Sequence, residues 1–238
     1  SKMINICFDQ VSSALISLER LGEVIDSPES LRDNQDDALP KGEARLGGYT
    51  GGWHAKANTD YFKSTHEKLN TLCLMDLNVS CQSNTLYAVV GGVGSGKSSL
   101  LQAIMNEVVV KQGKSSKNGK IAYVGQTAFL LNATVRENIL FFSEFEEERY
   151  KECLVKCCLV EDLKLLPGGD LTEIGERGIN ISGGQKQRVA LARAMYSQMD
   201  IFLIDDSLSA LDAEVSKRIF YNVIKGAMKG KTVILVTH

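Results

Sequence analysis

Apolar positions near the start of the chain are spaced like one face of a helix. Ile4, Phe8, Val11, Leu15, Leu18 and Ile25 follow one another at alternating steps of four and three, with Gly22 filling the missing position. The stripe predicts an amphipathic helix over residues 3–26 that stops at Asp26-Ser27-Pro28. Such a stripe either packs on its own domain or faces a partner helix. Over residues 28–46 the pattern dissolves into Glu, Asp, Asn, Gly and Pro40, which reads as an exposed linker and a domain boundary.

Beyond the linker the periods shorten. Residues 47–53 read as an edge strand, 54–68 as a polar loop and 69–81 as strands. Leu86-Tyr87-Ala88-Val89-Val90 is an apolar run of the fully buried kind, followed by a glycine-rich turn and a helical run over 98–105. A short strand is expected at 121–124, helices at 134–140, 146–158 and 184–197, a buried strand at 201–204, a helix over 212–228 and a last strand at 232–236. Short buried strands alternating with helices predict an α/β fold with a mostly parallel core sheet.

Composition narrows the class. With 44% hydrophobic and 24% charged residues, the 238-residue chain buries a sizeable core, which excludes disorder and collagen-like structure. Lys and Arg number 27 against 29 Asp and Glu, a net charge of −2 with no basic tail, so nucleic acid is not an expected partner. Six cysteines include Cys153 and Cys157 at helical spacing. The only histidines, His54, His66 and His238, do not complete a metal set, so the cysteines read as reduced, partly buried thiols. No apolar run approaches the ~20 residues that span a bilayer, and no signal-peptide pattern opens the chain. It starts within a helical pattern and stops straight after an apolar strand, and so reads as a piece of a longer chain.

Three segments carry chemistry. Gly91-Gly92-Val93-Gly94-Ser95-Gly96-Lys97-Ser98 fits the phosphate-binding loop, set between a strand and a helix as that loop requires. Glycines let backbone N–H groups close around phosphate oxygens; Lys97 then meets the β- and γ-phosphates and Ser98 ligates Mg²⁺, with the helix N-terminus adding positive potential. Ile201-Phe202-Leu203-Ile204 runs into Asp205-Asp206, where the first acid is expected to hold the Mg²⁺ shell and the second to polarise an attacking water. In Asn180-Ile181-Ser182-Gly183-Gly184-Gln185, Ser182 and Gln185 have capping-box spacing, so a helix starts there with free N–H groups flanked by glycines. A capped start of this kind is either a helix end and nothing more or an anion site.

Taken together, residues 47–238 resemble the nucleotide-binding domains of ATP-binding-cassette (ABC) transporters. The motifs that carry the likeness are the P-loop at 91–98, Gln126 in Tyr123-Val124-Gly125-Gln126, the signature 181–185, Asp205-Asp206, Ser209-Ala210-Leu211-Asp212 and His238. The resemblance implies a P-loop NTPase of the ABC type, with an antiparallel β subdomain and a helical subdomain over about 127–198, its C-terminal part cut after His238. It further implies that Gly92, Val93, Gly94, Ser95, Gly96, Lys97, Ser98, Ser99 and Gln126 bind ATP and that Ser98, Gln126 and Asp205 hold Mg²⁺. Gln126 would also touch the membrane-domain coupling helix. Asp206, His238 and Gln126 would be catalytic, and Ser182, Gly183, Gly184 and Gln185 would close over ATP held by a partner domain. Adenine in this family stacks on an aromatic upstream of the P-loop; Trp53 is the choice and Tyr61 the runner-up. A long gap between Trp53 and Gly91 points to an insertion around 54–68.

The run Leu165-Leu166-Pro167-Gly168-Gly169-Asp170-Leu171-Thr172-Glu173-Ile174-Gly175-Glu176-Arg177-Gly178-Ile179-Asn180 resembles the first nucleotide-binding domain of C-subfamily, multidrug-resistance-associated proteins. So does Asp206 where most relatives carry glutamate. Residues 1–27 resemble the cytoplasmic extension of the preceding membrane-domain helix. Ile181 replaces the usual signature Leu, and Ser207 the usual proline. The expected function is ATP-driven transport, with weak hydrolysis at this domain's own site. Its partners would be transmembrane domains of the same polypeptide and a second nucleotide-binding domain in a head-to-tail ATP sandwich. The location implied is the cytoplasmic face of a membrane, within an integral membrane protein. Channel gating in the same subfamily, or a soluble ABC ATPase of DNA repair or translation, are the alternatives.

Overall fold

The structure, a computed structural model, describes residues 34–52, 72–175 and 181–237. The expected helix over 3–26, Trp53, Tyr61, the loop 54–68 and His238 lie outside the described residues. In chain order the elements are β1 (Ala44–Gly52), β2 (Leu72–Cys81), β3 (Leu86–Val90), α1 (Lys97–Ile104), β4 (Val109–Lys117) and β5 (Ile121–Val124). There follow β6 (Ala133–Thr134), α2 (Val135–Leu140), α3 (Glu147–Lys156), α4 (Val160–Leu165), β7 (Glu173–Ile174), α5 (Gly183–Tyr196), β8 (Ile201–Asp205), α6 (Ala213–Ile219) and β9 (Thr232–Thr237). The helix expected over 212–228 continues past α6 as a π-helical stretch, Phe220–Ala227.

The core sheet is parallel, in the order β3-β9-β8-β5. Its two inner strands are buried on both faces, as crossover topology demands. Ile201 and Leu203 of β8 pack with Leu101 and Ile104 of α1, while Phe202 and Ile204 pack on the other side with Val189 and Leu191 of α5. β9 splits in the same way, Ile234 and Val236 to one cluster and Val233 and Leu235 to the other. The period-2 alternation of a strand thus serves two cores at once.

Three expectations are corrected. The run at 86–90 is an outer strand whose Leu86, Ala88 and Val90 are exposed, because among the described strands only β9 pairs with it. The expected edge strand at 47–53 belongs to the central strand of a separate antiparallel sheet, order β2-β1-β4, with Ala44 opposite Cys81 on one side and Lys117 on the other. The polar sequence of β4, Val-Val-Lys-Gln-Gly-Lys-Ser-Ser-Lys, gave no strand signal; it is pinned by pairing with β1. The chain also enters the fold before residue 47. Buried Asn34 donates to the Ile104 carbonyl at 3.0 Å and to Ser115 Oγ at 2.8 Å, and Ala44 and Leu46 are core residues. Polar composition at 34–46 marks turns and side chains that satisfy backbone groups rather than a free linker.

A buried amide ties together the segment that leads into α2, α2 itself and α5. Asn138, fully buried on α2, donates to the carbonyls of Leu131 and Thr134 at 3.0 Å each, and its Oδ1 accepts from the Leu131 N–H at 2.8 Å. Arg193 of α5 adds a bond from Nε to the Asn138 carbonyl (2.7 Å), from Nη2 to its Oδ1 (3.0 Å) and from Nη1 to the Phe129 carbonyl (2.7 Å). Asn138→Ala orphans several buried groups at once and is expected to lower unfolding free energy by about 2–4 kcal/mol, read from urea denaturation.

Candidate functional site

Parallel strands deliver their C-terminal ends to one side of the sheet, and the glycine-rich turn leaves β3 there. Gly94 and Gly96 have φ of 79° and 88°, a left-handed backbone that favours glycine. At Gly91 a Cβ would lie 2.8 Å from Ser95 Oγ, so that glycine makes room inside the turn. Lys97, the first residue of α1, folds its ammonium back to donate to the carbonyls of Gly91 (2.7 Å) and Gly92 (2.8 Å). The turn, its lysine and the first turn of α1 therefore form one hydrogen-bonded unit.

A cavity of about 490 Å³ opens in front of this unit. Val93, Gly94, Ser95, Gly96, Lys97, Ser98, Ser99, Gln126, Asp205 and Asp206 line it, together with Cys73 and Val236. Gly92 contributes the carbonyl that receives Lys97. Each acid is set differently. Asp205 closes β8 and is buried; Asp206 turns the chain with a φ of 46°, its N–H donating to the Val236 carbonyl at 3.1 Å. Ser209 caps that turn from its Oγ to the Asp206 carbonyl at 2.7 Å. Ser207, where proline is usual, is wholly buried and its Oγ has no hydrogen-bond partner.

The cavity's donor set fits Mg²⁺: the hydroxyl of Ser98, the side-chain amide of Gln126 and the buried carboxylate of Asp205 offer hard oxygen donors to one cavity. Asp205 is itself oriented, since Tyr123 Oη donates to its Oδ2 at 3.2 Å. Burial first, then the facing Asp205 carboxylate, push the Tyr123 phenol up to about 12, so it keeps its proton and acts as the donor. Tyr123, Cys73 and Val236 were not singled out by sequence. For Tyr123 a signal exists: in the parallel register it stands opposite Leu203, on the face that Asp205 shares two residues on.

Ser182, Gly183, Gly184 and Gln185 are not among the residues that line this cavity. They form the start of α5, where the capping box is complete: Gln185 N–H donates to Ser182 Oγ at 3.2 Å and Ser182 N–H to Gln185 Oε1 at 2.8 Å. Asp162 of α4 fixes the rest, accepting from Gln185 Nε2 at 2.9 Å and Arg188 Nη2 at 2.5 Å. One turn on, buried Gln187 donates to the Gly125 carbonyl at 2.8 Å, which ties this helix to the residue before Gln126. Asp162 and Gln187 also escaped the sequence reading, since their partners are distant in the chain.

Cys153 and Cys157 stand apart from this cavity. Burial raises the Cys153 thiol to about 12 and pushes Cys157 well up, so neither is a thiolate at neutral pH.

A glycine-rich loop between strand and helix, sharing a cavity with an acid at the end of another parallel strand of the same sheet, defines a P-loop nucleotide-binding protein. Comparison with known proteins makes this specific. The family described as ABC transporter matches residues 74–209, more than half of the chain. ATP-binding cassette sub-family C member 2 from Homo sapiens is 51% identical over 176 residues, 73% of this chain and 11% of that protein. ABC transporter C family member 3 from Dictyostelium discoideum is 49% identical over 172 residues, 72% of this chain and 12% of its own length. Multidrug resistance protein mrp-7 from Caenorhabditis elegans is 43% identical over 242 residues, covering 99% of this chain and 15% of that protein. The chain belongs to the ABC transporter family and carries its nucleotide-binding domain, of the C-subfamily kind. It spans between a tenth and a sixth of the length of these relatives.

The signature cap has a measurable worth. Ser182→Ala removes the oxygen that accepts the Gln185 N–H and is expected to cost about 1 kcal/mol of stability, read as a lower denaturant midpoint with an unchanged slope.

Proposed function

We propose that this domain binds ATP with Mg²⁺ and, paired with a second nucleotide-binding domain, drives or gates solute movement across a membrane, its own site hydrolysing slowly. The observation that carries the reading is the single cavity on which the P-loop, Gln126, Asp205 and Asp206 converge. Loop amides and Lys97 receive the triphosphate; Ser98, Gln126 and Asp205 hold Mg²⁺; Trp53 stacks on adenine; Asp206, Gln126 and His238 attend the attacking water and the γ-phosphate. Bound Mg²⁺ supplies neutralisation of the charge on the β- and γ-phosphates.

Asp206 explains slow turnover. Its carboxylate is one methylene shorter than glutamate, and the left-handed turn that Ser209 caps fixes its Cα. A misplacement of about 1 Å costs roughly 10²-fold in rate. The capped start of α5, away from the cavity, presents N–H groups and a positive helix end suited to the ATP of a second domain, head to tail.

For the membrane partner we assign an apolar groove of about 400 Å³ between β5, the end of α2 and α5, with Thr127, Phe129, Leu140 and Phe141 on its walls. Phe129 at the rim is 64% exposed and neighbouring Phe142 90%, and Phe141 and Phe142 have φ of 43° and 67°, an unfavourable backbone for bulky residues. Exposed aromatics at an apolar groove are the mark of a contact surface. No described helix is long and apolar enough to cross a membrane. Attachment through this groove to transmembrane domains of the same polypeptide puts the domain on the cytoplasmic face.

Two measurements test the reading. ATP with Mg²⁺ should change the fluorescence of Trp53, the only tryptophan, and Lys97→Ala should weaken that binding. An unchanged spectrum with intact affinity would remove Trp53 from the adenine site. In the assembled two-domain protein, Asp206→Glu should raise single-turnover ATP cleavage at this site with little change in affinity. No gain would locate the deficiency elsewhere than in the acid's reach.

A further inference from the structure

The nucleotide cavity and the apolar groove are separate, and the chain passes from one to the other through the end of β5 and the residues that follow it. Gly125 and Gln126 leave that strand on the way to the cavity, while Ile121, Ala122, Tyr123 and Val124 line the groove. Tyr123 alone among these reaches the nucleotide side with a polar atom. It is one of the groove residues, and its Oη donates to Asp205 Oδ2 at 3.2 Å. Gln102 on α1, the helix that begins at Lys97 and Ser98, acts on the same hydroxyl in the direction of a donor, lowering the phenol against the rise that burial causes. Through Oη the phenol links β5 to the acid that closes β8.

A carboxylate that must offer one oxygen to a cation needs its other oxygen held, or it rotates among equivalent poses. Asp205 is buried, and Tyr123 holds Oδ2. The ring's own place is set from behind: a Cβ at residue 125 would lie 3.3 Å from Tyr123 Cε1, so Gly125 admits the ring, and the Gly125 carbonyl is anchored by Gln187 at 2.8 Å.

We propose that Tyr123 is a positioning residue for Mg²⁺ binding: through Oη it orients the Asp205 carboxylate. The inference rests on the reading of Asp205 as a Mg²⁺ ligand given above. It assigns a role to a hydroxyl that touches neither nucleotide nor metal.

Tyr123→Phe deletes the hydroxyl and keeps the ring. The experiment titrates this chain with trinitrophenyl-ATP in the presence of Mg²⁺ and again in EDTA, and then titrates Mg²⁺ at fixed nucleotide. Loss of an outer partner of a metal ligand costs about 10-fold or more in metal affinity, so the Mg²⁺ midpoint should rise by that factor while affinity in EDTA stays within about twofold. Gln102→Met should move the midpoint in the same direction by less. In the double variant Tyr123→Phe with Asp205→Asn, the tyrosine change should add nothing to the loss caused by Asp205→Asn, because the carboxylate it orients is gone. Equal losses with and without Mg²⁺ would mean that Tyr123 supports the fold and not the cation, and would overturn the proposal. So would an unchanged midpoint in Tyr123→Phe or a fully additive double variant. Failure of the unaltered chain to bind the nucleotide at all would instead overturn the function proposed above, and the two failures are thereby separate. If Tyr123→Phe loses its cooperative thermal transition, Gln102→Met and its pairing with Asp205→Asn decide the question.

Discussion

The constraint on which this domain depends is that backbone carbonyls left over between β5 and α2 must find donors inside the protein. That segment runs from the nucleotide cavity to the apolar groove and contains little regular structure of its own. Helix α5 supplies two of them, Gln187 to the Gly125 carbonyl and Arg193 to that of Phe129, and Asn138 of α2 supplies those for Leu131 and Thr134. Burial lowers the Arg193 guanidinium from its ordinary value, though it remains charged at any physiological pH, and its cation also lies 4.6 Å from the centre of the Phe141 ring. An uncompensated buried carbonyl costs about 1–3 kcal/mol, so these few side chains set the path of the whole segment.

The same helix begins with the capped signature and ends in the core. Its apolar residues Val189, Leu191 and Ala192 lie against Phe202 and Ile204 of β8, whose next residue is Asp205. One rigid rod of fourteen residues thus spans the signature, the strand end that bears the acids and the segment that bears Gln126. A displacement at the groove and a displacement at the signature cannot be independent when both are fastened to that rod. In the function proposed here, this is the mechanical route between a membrane partner and two nucleotides.

Local chemistry was legible in the sequence and long-range satisfaction was not. The P-loop, the capping box at Ser182 and the acid pair after β8 are short patterns whose meaning comes from neighbours along the chain, and the structure sets the first and third on one cavity. The strands β8 and β9 were readable because both faces are buried and the run is continuous. The same rule misread β3, since continuous apolar sequence says that a strand is meant for burial and not which neighbours the described residues provide. β4 went unseen because its register comes from β1, more than fifty residues away, and its own residues are polar. Asn34, Asp162 and Gln187 look like ordinary surface residues until their partners at 70, 23 and 62 positions' distance are known.

Ser207 bears on the fold rather than on the cavity, which it does not line. A proline there would have no polar side-chain atom to bury; serine buries an Oγ that nothing accepts or donates to. The cost falls on the turn that also carries the left-handed Asp206, where backbone strain is already stored. Beside these two unfavourable elements stand the ties of the Asp206 backbone, the Val236 carbonyl behind its N–H and the Ser209 hydroxyl and N–H on its carbonyl. Those ties join the acid to the C-terminal end of β9 and to the segment that opens α6. The position of the second acid is therefore governed from outside the P-loop, whereas the position of the first, Asp205, is governed by β5 and its tyrosine. In the function proposed above, these adjacent carboxylates with separate supports can respond to separate events, binding at one and cleavage at the other, although a single peptide bond joins them.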